Sequence, residues 1–254
     1  MAIVFFDIDG TLADRREVPE SASESIERLR ANGHVVFICS GRFRPYAERY
    51  FSQYADGFIC CNGRLAFMGE KTIFSEPLST EQVKSIVEVL DPLDLSYVFY
   101  EEFAAHFIGS DEKYRDRTSK DIAEVYDRSL DPDTVRAYNF DVFFNDFEPY
   151  YEAEKALSET CLFNLHGPYK SADVTIVGAD KGKAIQRVLS YLNIDKADTY
   201  AFGDGMNDIA MLKAVGHGIA MGNGVEEVKV IAEYTTTGIH EDGVKNGLLH
   251  YGLI

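Results

Sequence analysis

The amino-acid sequence predicts an α/β fold, a doubly wound parallel sheet into which an α+β domain is inserted. Three observations carry this. Short apolar runs alternate with amphipathic stretches at both ends of the chain, as strands and crossover helices do. A long middle segment breaks the alternation with aromatic-rich strand candidates. The composition, 46% hydrophobic and 13% aromatic over 254 residues, supplies apolar material for one large or two modest domains and excludes a disordered chain.

Ile3–Phe6 is a fully apolar run and reads as a buried strand, followed by the turn-rich Asp7-Ile8-Asp9-Gly10-Thr11. Ser21 with Glu24 forms a capping-box pattern ahead of Ile26 and Leu29, and Asn32-Gly33 supplies a stop, so a helix lies between. Val35–Cys39 is the next strand, 45–54 has helical spacing (Tyr46, Tyr50, Phe51, Tyr54), and 58–60 is a third strand. Residues 64–68 and 71–74 read as a hairpin around a glycine turn. Pro77 and the Ser79/Gln82 capping pair start a helix that runs to about Leu90.

From there to about Val177 strand candidates fall at 97–100, 103–108, 142–147, 161–165 and 174–177, with helical stretches near 118–126 and 148–158. Alternation then resumes: helix 181–192, strand 199–202, helix 207–214, strand 218–220, helix 225–231 and a closing helix near 243–251. The expected core combines 1–76 with 179–254, and the expected insert is 77–178.

The chain has 25 basic and 42 acidic residues, a formal charge of −17. Such a field disfavours nucleic acid or an anionic membrane as partner. No apolar run approaches the length of a bilayer span, and the N-terminus lacks the basic region of a signal peptide. Cys39, Cys60, Cys61 and Cys161 show neither CxxC spacing nor the density of a disulfide scaffold, so buried free thiols in the cytoplasm are expected. The six histidines show no metal spacing, which argues against zinc.

Four segments carry candidate chemistry, each at a strand end or helix start, where open α/β sheets bind ligands. Asp7 follows the first strand and is a candidate nucleophile toward phosphorus. Asp9, two residues on, is a candidate general acid and base. Ser40-Gly41-Arg42 ends the second strand, and its hydroxyl and backbone N–H groups suit phosphate oxygens. Lys181 opens a helix and could hold phosphate while neutralising carboxylates. Gly203-Asp204-Gly205-Met206-Asn207-Asp208 links a strand to a helix, and Asp204 with Asp208 offers hard oxygens to Mg²⁺. Each has a plainer reading: an Asx turn, a Gly-rich βα turn with an N-cap, a simple turn with a surface arginine, a solvated lysine. Their joint order makes coincidence improbable.

With these motifs, DIDGTL at 7–12, SGR at 40–42, Lys181 and GDGMND at 203–208, the chain resembles the haloacid dehalogenase (HAD) superfamily and within it the Cof-type phosphatases. CNG at 61–63, AMGN at 220–223 and EDGV at 241–244 add to the likeness, which covers essentially the whole chain. Gly224 departs from the alanine common after MGN. The resemblance implies a Rossmann-like core with an α/β cap inserted between the Ser40 and Lys181 segments. It implies Asp7 as nucleophile, Asp9 as general acid/base, and Mg²⁺ held by the Asp7 carboxylate, the Asp9 carbonyl and Asp204, with Asp208 in support. Thr11, Ser40 and Gly41 would contact the phosphoryl group and Lys181 would stabilise it. Arg42, Arg44, Asn62 and Asn207 are candidate substrate contacts.

The expected activity is Mg²⁺-dependent hydrolysis of small phosphorylated metabolites, sugar phosphates or cofactor phosphate monoesters, through an aspartyl-phosphate. Dehalogenases of the superfamily lack the second acid, since halide leaves without a proton, so Asp9 favours P–O cleavage. A phosphomutase shares the motifs, and a non-catalytic phosphometabolite-binding protein could keep the scaffold. The physiological substrate and the oligomeric state are not legible in the sequence.

Overall fold

β1 (Ile3–Phe6) is buried along its whole length, which is why its sequence is an unbroken apolar run instead of an alternating one. The computed structural model describes residues 1–110, 112–122, 124–127, 130–166 and 169–254. The further strands are β2 (Val35–Cys39), β3 (Gly57–Cys60), β4 (Leu65–Met68), β5 (Lys71–Ser75), β6 (Ser96–Tyr100), β7 (Ala104–Ile108), β8 (Glu124–Asp127), β9 (Asn139–Phe143), β10 (Cys161–Leu165), β11 (Ser171–Ile176), β12 (Thr199–Gly203), β13 (His217–Ala220) and β14 (Tyr234–Thr235). The helices are α1 (Glu20–Ala31), α2 (Arg44–Phe51), α3 (Thr80–Leu90), α4 (Glu112–Asp121), α5 (Phe147–Ala156), α6 (Lys181–Leu192), α7 (Ile209–Ala214), α8 (Glu226–Ile231) and α9 (Gly243–His250).

The chain divides into two compact units. Met1–Arg42, Tyr50–Ser75 and Asp180–Ile254 make the first, and Phe43–Arg49 with Glu76–Ala179 the second. In the first, the sheet order is β14-β13-β12-β1-β2-β3-β4-β5. β1 pairs in parallel with β12 on one side and β2 on the other, with Phe6 opposite both Phe202 and Ile38. Among the described residues β4 alone runs against the rest, pairing antiparallel with β3 and with β5. Winding outward from β1 in both directions creates a topological switch point at its carboxyl end.

Successive side chains of β1 point to opposite faces, and each face is covered. Ile3 and Phe5 join Phe37, Cys39 and Ile59 against Ile185 and Val188 of α6 and Met211 of α7. On the other side Phe6 stacks on Phe202 at 4.9 Å, and α1 and α9 bury Ile26, Leu29, Val244 and Leu248. Burying one such side chain stabilises by roughly 1.5–3 kcal/mol, so the strand bearing Asp7 is held by packing on both faces.

The second unit has a sheet of order β10-β11-β9-β6-β7-β8, antiparallel except for β7 with β8. Val83, Ile86 and Leu90 of α3 and Tyr150 of α5 pack on Tyr97, Phe99, Phe140 and Val174. Phe43–Arg49 belong to this unit although the sequence places them inside the first. Phe43 stacks on Tyr100 at 4.6 Å, and Arg44 bonds Glu102 at 2.6 Å.

Several expected elements move. α1 starts at Glu20 behind Pro19, whose extended backbone (ψ 142°) makes the entry, and no side chain caps it. Ser21 lies inside the first turn, its carbonyl accepting the Ser25 hydroxyl. The helix expected near 118–126 is α4, ending at Asp121, and β8 follows; Ala123 lies outside the described residues. Val125 and Tyr126 suit a strand, and β7 supplies the partner. The run at 142–147 is the end of β9 joined to the start of α5, a seam that apolar periodicity does not register. β14, two residues long, is too short to show in a pattern.

The capping box at Ser79 forms as expected: Gln82 N–H donates to Ser79 Oγ at 3.2 Å and Ser79 N–H to Gln82 Oε1 at 2.9 Å. Ser79→Ala is therefore expected to lower stability by about 1 kcal/mol, while Ser21→Ala, which removes no cap, leaves it within about 0.5 kcal/mol. Denaturant unfolding of the two variants checks this, and equal losses would contradict the assignment of the caps.

Candidate active site at the switch point

The β1–β12 ladder runs one residue past β1. Asp7 N–H donates to the Phe202 carbonyl at 3.0 Å, which sets Asp7 beside the Gly203-Asp204 turn. The chain then folds tightly: Gly10 takes φ +86°, its N–H donates to the Ala13 carbonyl at 2.9 Å, and Thr11 Oγ1 donates to Asp204 Oδ1 at 2.8 Å. A Cβ on Gly10 would strike the Asp204 carboxylate, so only glycine lets the first turn lie against the second.

Lys181 is the first residue of α6, behind the N-cap Asp180, whose carboxylate accepts Lys183 N–H at 2.7 Å. Its side chain is 1% exposed, and Nζ donates to Asp7 Oδ1 at 2.5 Å and Asp208 Oδ1 at 2.6 Å. Asp208 is fully buried. Its Oδ2 accepts the N–H groups of Asp204 and Gly205, both at 2.9 Å. One aspartate thus grips the lysine with one oxygen and shapes the glycine-rich turn with the other.

Asp7, Asp204 and Asp208 each place a carboxylate oxygen within 4.8 Å of the others. Three carboxylates face one ammonium, a deficit of positive charge in a buried place. Burial pushes the Asp7 carboxyl well up, against the pull of Lys181, with Asp208 and Asp9 adding to the rise. Burial likewise pushes Asp204 up to about 6. Burial alone would lower Lys181, yet Asp208 and Asp7 outweigh it and keep the ammonium charged. The donors are hard oxygens, and such a set fits a divalent cation such as Mg²⁺ or Mn²⁺ better than zinc. Among the described residues, Asp7 Oδ2 and Asp204 Oδ2 accept no hydrogen bond and are the oxygens open to it. Asp208, whose two oxygens are already engaged, is a support for the site more than a ligand.

The other expected residues sort themselves by partner. Asp9 is about half exposed and its Oδ2 accepts Arg42 Nε at 2.8 Å. Arg42, a candidate substrate contact, thus lies beside the second aspartate. Ser40 is buried behind β2, where Oγ accepts Arg42 N–H at 3.2 Å while its own hydroxyl proton can be given elsewhere. Asn62, in a left-handed conformation (φ 51°), is buried against Gly41 and sends its N–H to the Ser40 carbonyl at 3.1 Å, so it shapes this loop from behind. Asn207 is exposed in the glycine-rich turn. Thr11, expected at the phosphoryl group, is fully buried with its hydroxyl committed to Asp204. Arg44 belongs to the second unit, where it bonds Glu48 and Glu102.

Sequence reasoning gave Asn223 no task. Its amide donates to the Gly10 carbonyl at 2.8 Å across 213 residues of chain. The AMGN string was the only signal, and nothing in a string says where a side chain reaches.

Gly10→Ala is expected to weaken divalent-cation binding at least about tenfold, since strain and the Asp204 clash together cost about 1–3 kcal/mol. Calorimetric titration with Mg²⁺ measures it, and wild-type affinity would contradict the packing of the two turns.

Comparison with known proteins places the chain in a family. The profile of haloacid dehalogenase-like hydrolases matches residues 4–248. YkrA of Bacillus subtilis (strain 168) is 32% identical over 260 residues, covering 99% of this chain and 98% of its own. From the same organism, the 5-amino-6-(5-phospho-D-ribitylamino)uracil phosphatase YitU is 26% identical over 98% of this chain and 97% of its own. The solved structure of the HAD subclass IIB sugar phosphatase BT4131 superposes with a TM-score of 0.84 at 29% identity, covering both chains completely. With the family profile spanning nearly all of it and phosphatases among its relatives, the chain belongs to the haloacid dehalogenase-like hydrolases.

Proposed function

We propose that this protein is a cytoplasmic Mg²⁺-dependent phosphatase that hydrolyses small phosphorylated metabolites through an aspartyl-phosphate on Asp7. The observation that carries the reading is the pairing of Asp7 with a buried, charged Lys181 at the switch point, within 4.8 Å of Asp204.

In this reading Asp7 attacks phosphorus and the ester oxygen departs with a proton from Asp9. Asp9 then takes a proton from water, whose oxygen attacks the aspartyl-phosphate and releases inorganic phosphate with Asp7 restored. Lys181 favours the ionised form of Asp7, holds it in place and offers positive charge to the phosphoryl oxygens. The Ser40 hydroxyl and the Gly41 N–H supply neutral donors, and Arg42 adds a second cation beside Asp9. Mg²⁺ held by Asp7 and Asp204 would contribute Lewis-acid stabilisation of the transferring group. These local cations answer the difficulty that a chain of charge −17 poses for an anionic substrate.

The substrate class follows from the relatives: one acts on a phosphorylated ribityl chain and one on sugar phosphates. We extend to this chain the common denominator, a phosphate monoester of a small sugar, polyol or cofactor. The four cysteines are free and buried, which suits a reducing compartment. No helix among the described residues is long and apolar enough to cross a membrane.

Asp7→Asn is expected to abolish turnover of p-nitrophenyl phosphate with the fold intact by circular dichroism; retained hydrolysis would refute the covalent route. Asp9→Asn is expected to slow phosphoenzyme formation by about two to four decades in rapid-quench kinetics. Excess EDTA should silence the enzyme and Mg²⁺ restore it, and undiminished activity in EDTA would remove the metal from the proposal.

A further inference from the structure

Two motifs have no task in the site as built, AMGN at 220–223 and EDGV at 241–244. The structure joins them through Asn223. Its Nδ2 donates to the Gly10 carbonyl at 2.8 Å and its Oδ1 accepts Ile239 N–H at 2.8 Å. One partner can only accept and the other only donate, so the orientation of the amide is decided.

Gly10 lies between Asp9 and Thr11 at φ +86°, and its N–H is already given to Ala13. Its carbonyl is the remaining handle on the most pliable residue of the turn. The loop on the far side of Asn223 is itself braced. Gly222 N–H donates to the Thr237 carbonyl at 3.0 Å, Gly238 N–H to the Glu241 carboxylate at 3.1 Å and the Thr237 hydroxyl to the Glu241 carbonyl at 2.6 Å. Asn246 Nδ2 ties both Thr237 Oγ1 and the Glu241 carbonyl. Asn223 therefore holds Gly10 against a rigid object. The same short segment also secures the Asp204 turn, through Met221 N–H to Gly203 and Val225 N–H to Asp204, both at 3.0 Å.

Asp7 needs none of this, because the β-ladder and Lys181 fix it. Asp9 does, because its side chain is half exposed and, among the described residues, is held through Oδ2 to Arg42 Nε. We infer that Asn223 is a positioning residue for Asp9: it clamps the Gly10 carbonyl so that the Asp9 carboxyl faces the departing oxygen. This rests on the acid/base role proposed for Asp9 above. Loosening the clamp leaves the nucleophile in place and degrades proton delivery. The loss then depends on how much the leaving group needs a proton.

The test compares kcat/KM on p-nitrophenyl phosphate, whose nitrophenolate leaves with little help, and phenyl phosphate, whose phenolate needs more. Asn223→Ala is expected to lose at least about tenfold more on phenyl phosphate than on p-nitrophenyl phosphate, the same bias that Asp9→Asn shows in parallel. Asn223→Asp keeps the acceptor for Ile239 but turns a second acceptor on Gly10, so it should behave like Ala; Asn223 is exposed, and both variants should melt near wild type. An equal loss on both substrates, or none, while Asp9→Asn keeps its bias, would overturn the role of Asn223. Absence of bias in Asp9→Asn would instead remove the acid role, and the inference with it.

Discussion

A lysine ammonium with 1% of its side chain exposed sits between Asp7 at 2.5 Å and Asp208 at 2.6 Å, and the geometry of the site depends on it. Removing one partner of such a buried ion pair strands the other charge at about 3–5 kcal/mol, which couples the site to the fold. Asp208 transmits the grip. The oxygen that does not touch Lys181 accepts two backbone N–H groups of the glycine-rich turn and so aims Asp204. Three distant segments, after β1, at the start of α6 and after β12, thus become one object through a single cation.

That cation does not balance the carboxylates around it. Asp7 and Asp204 are both pushed up by burial, a sign that the protein alone leaves them short of positive charge. A binding site gains by this shortage. Lys181 offsets only part of the negative charge, and a divalent ion at this cluster would supply the rest and offset the desolvation of the carboxylates. Glycine at position 10 keeps the two acidic turns in contact, and a side chain there would separate them.

The second unit obeys different physics. Its sheet is held by aromatic packing, with Phe99 on Phe140 at 5.1 Å and Tyr97 on Phe99 at 5.9 Å, and α3 and α5 cover that face. Phe43–Arg49, drawn from early in the chain, join it through a ring stack and an arginine flanked by Glu48 and Glu102. Arg44 is paired there with two acids, Glu48 and Glu102.

The sequence by itself determined the alternation of the first unit, the strand that carries Asp7, the opening of α6 at Lys181 and the turn at 203–208. Burial on both faces and tight turns leave marks in neighbouring residues, as unbroken apolar runs and glycines. It misplaced α1's cap, the end of α4 and the seam of β9 with α5, where local patterns for helix and strand overlap or a proline preempts a serine. Only the tertiary structure decided which oxygen goes where. Thr11 turns to Asp204, Asp208 is spent on Lys181 and backbone, Arg42 meets Asp9, and Asn223 reaches back to Gly10. Each of these is a choice among partners far apart in the chain, settled by sheet register and by the need to satisfy buried polar groups, and no local pattern records it.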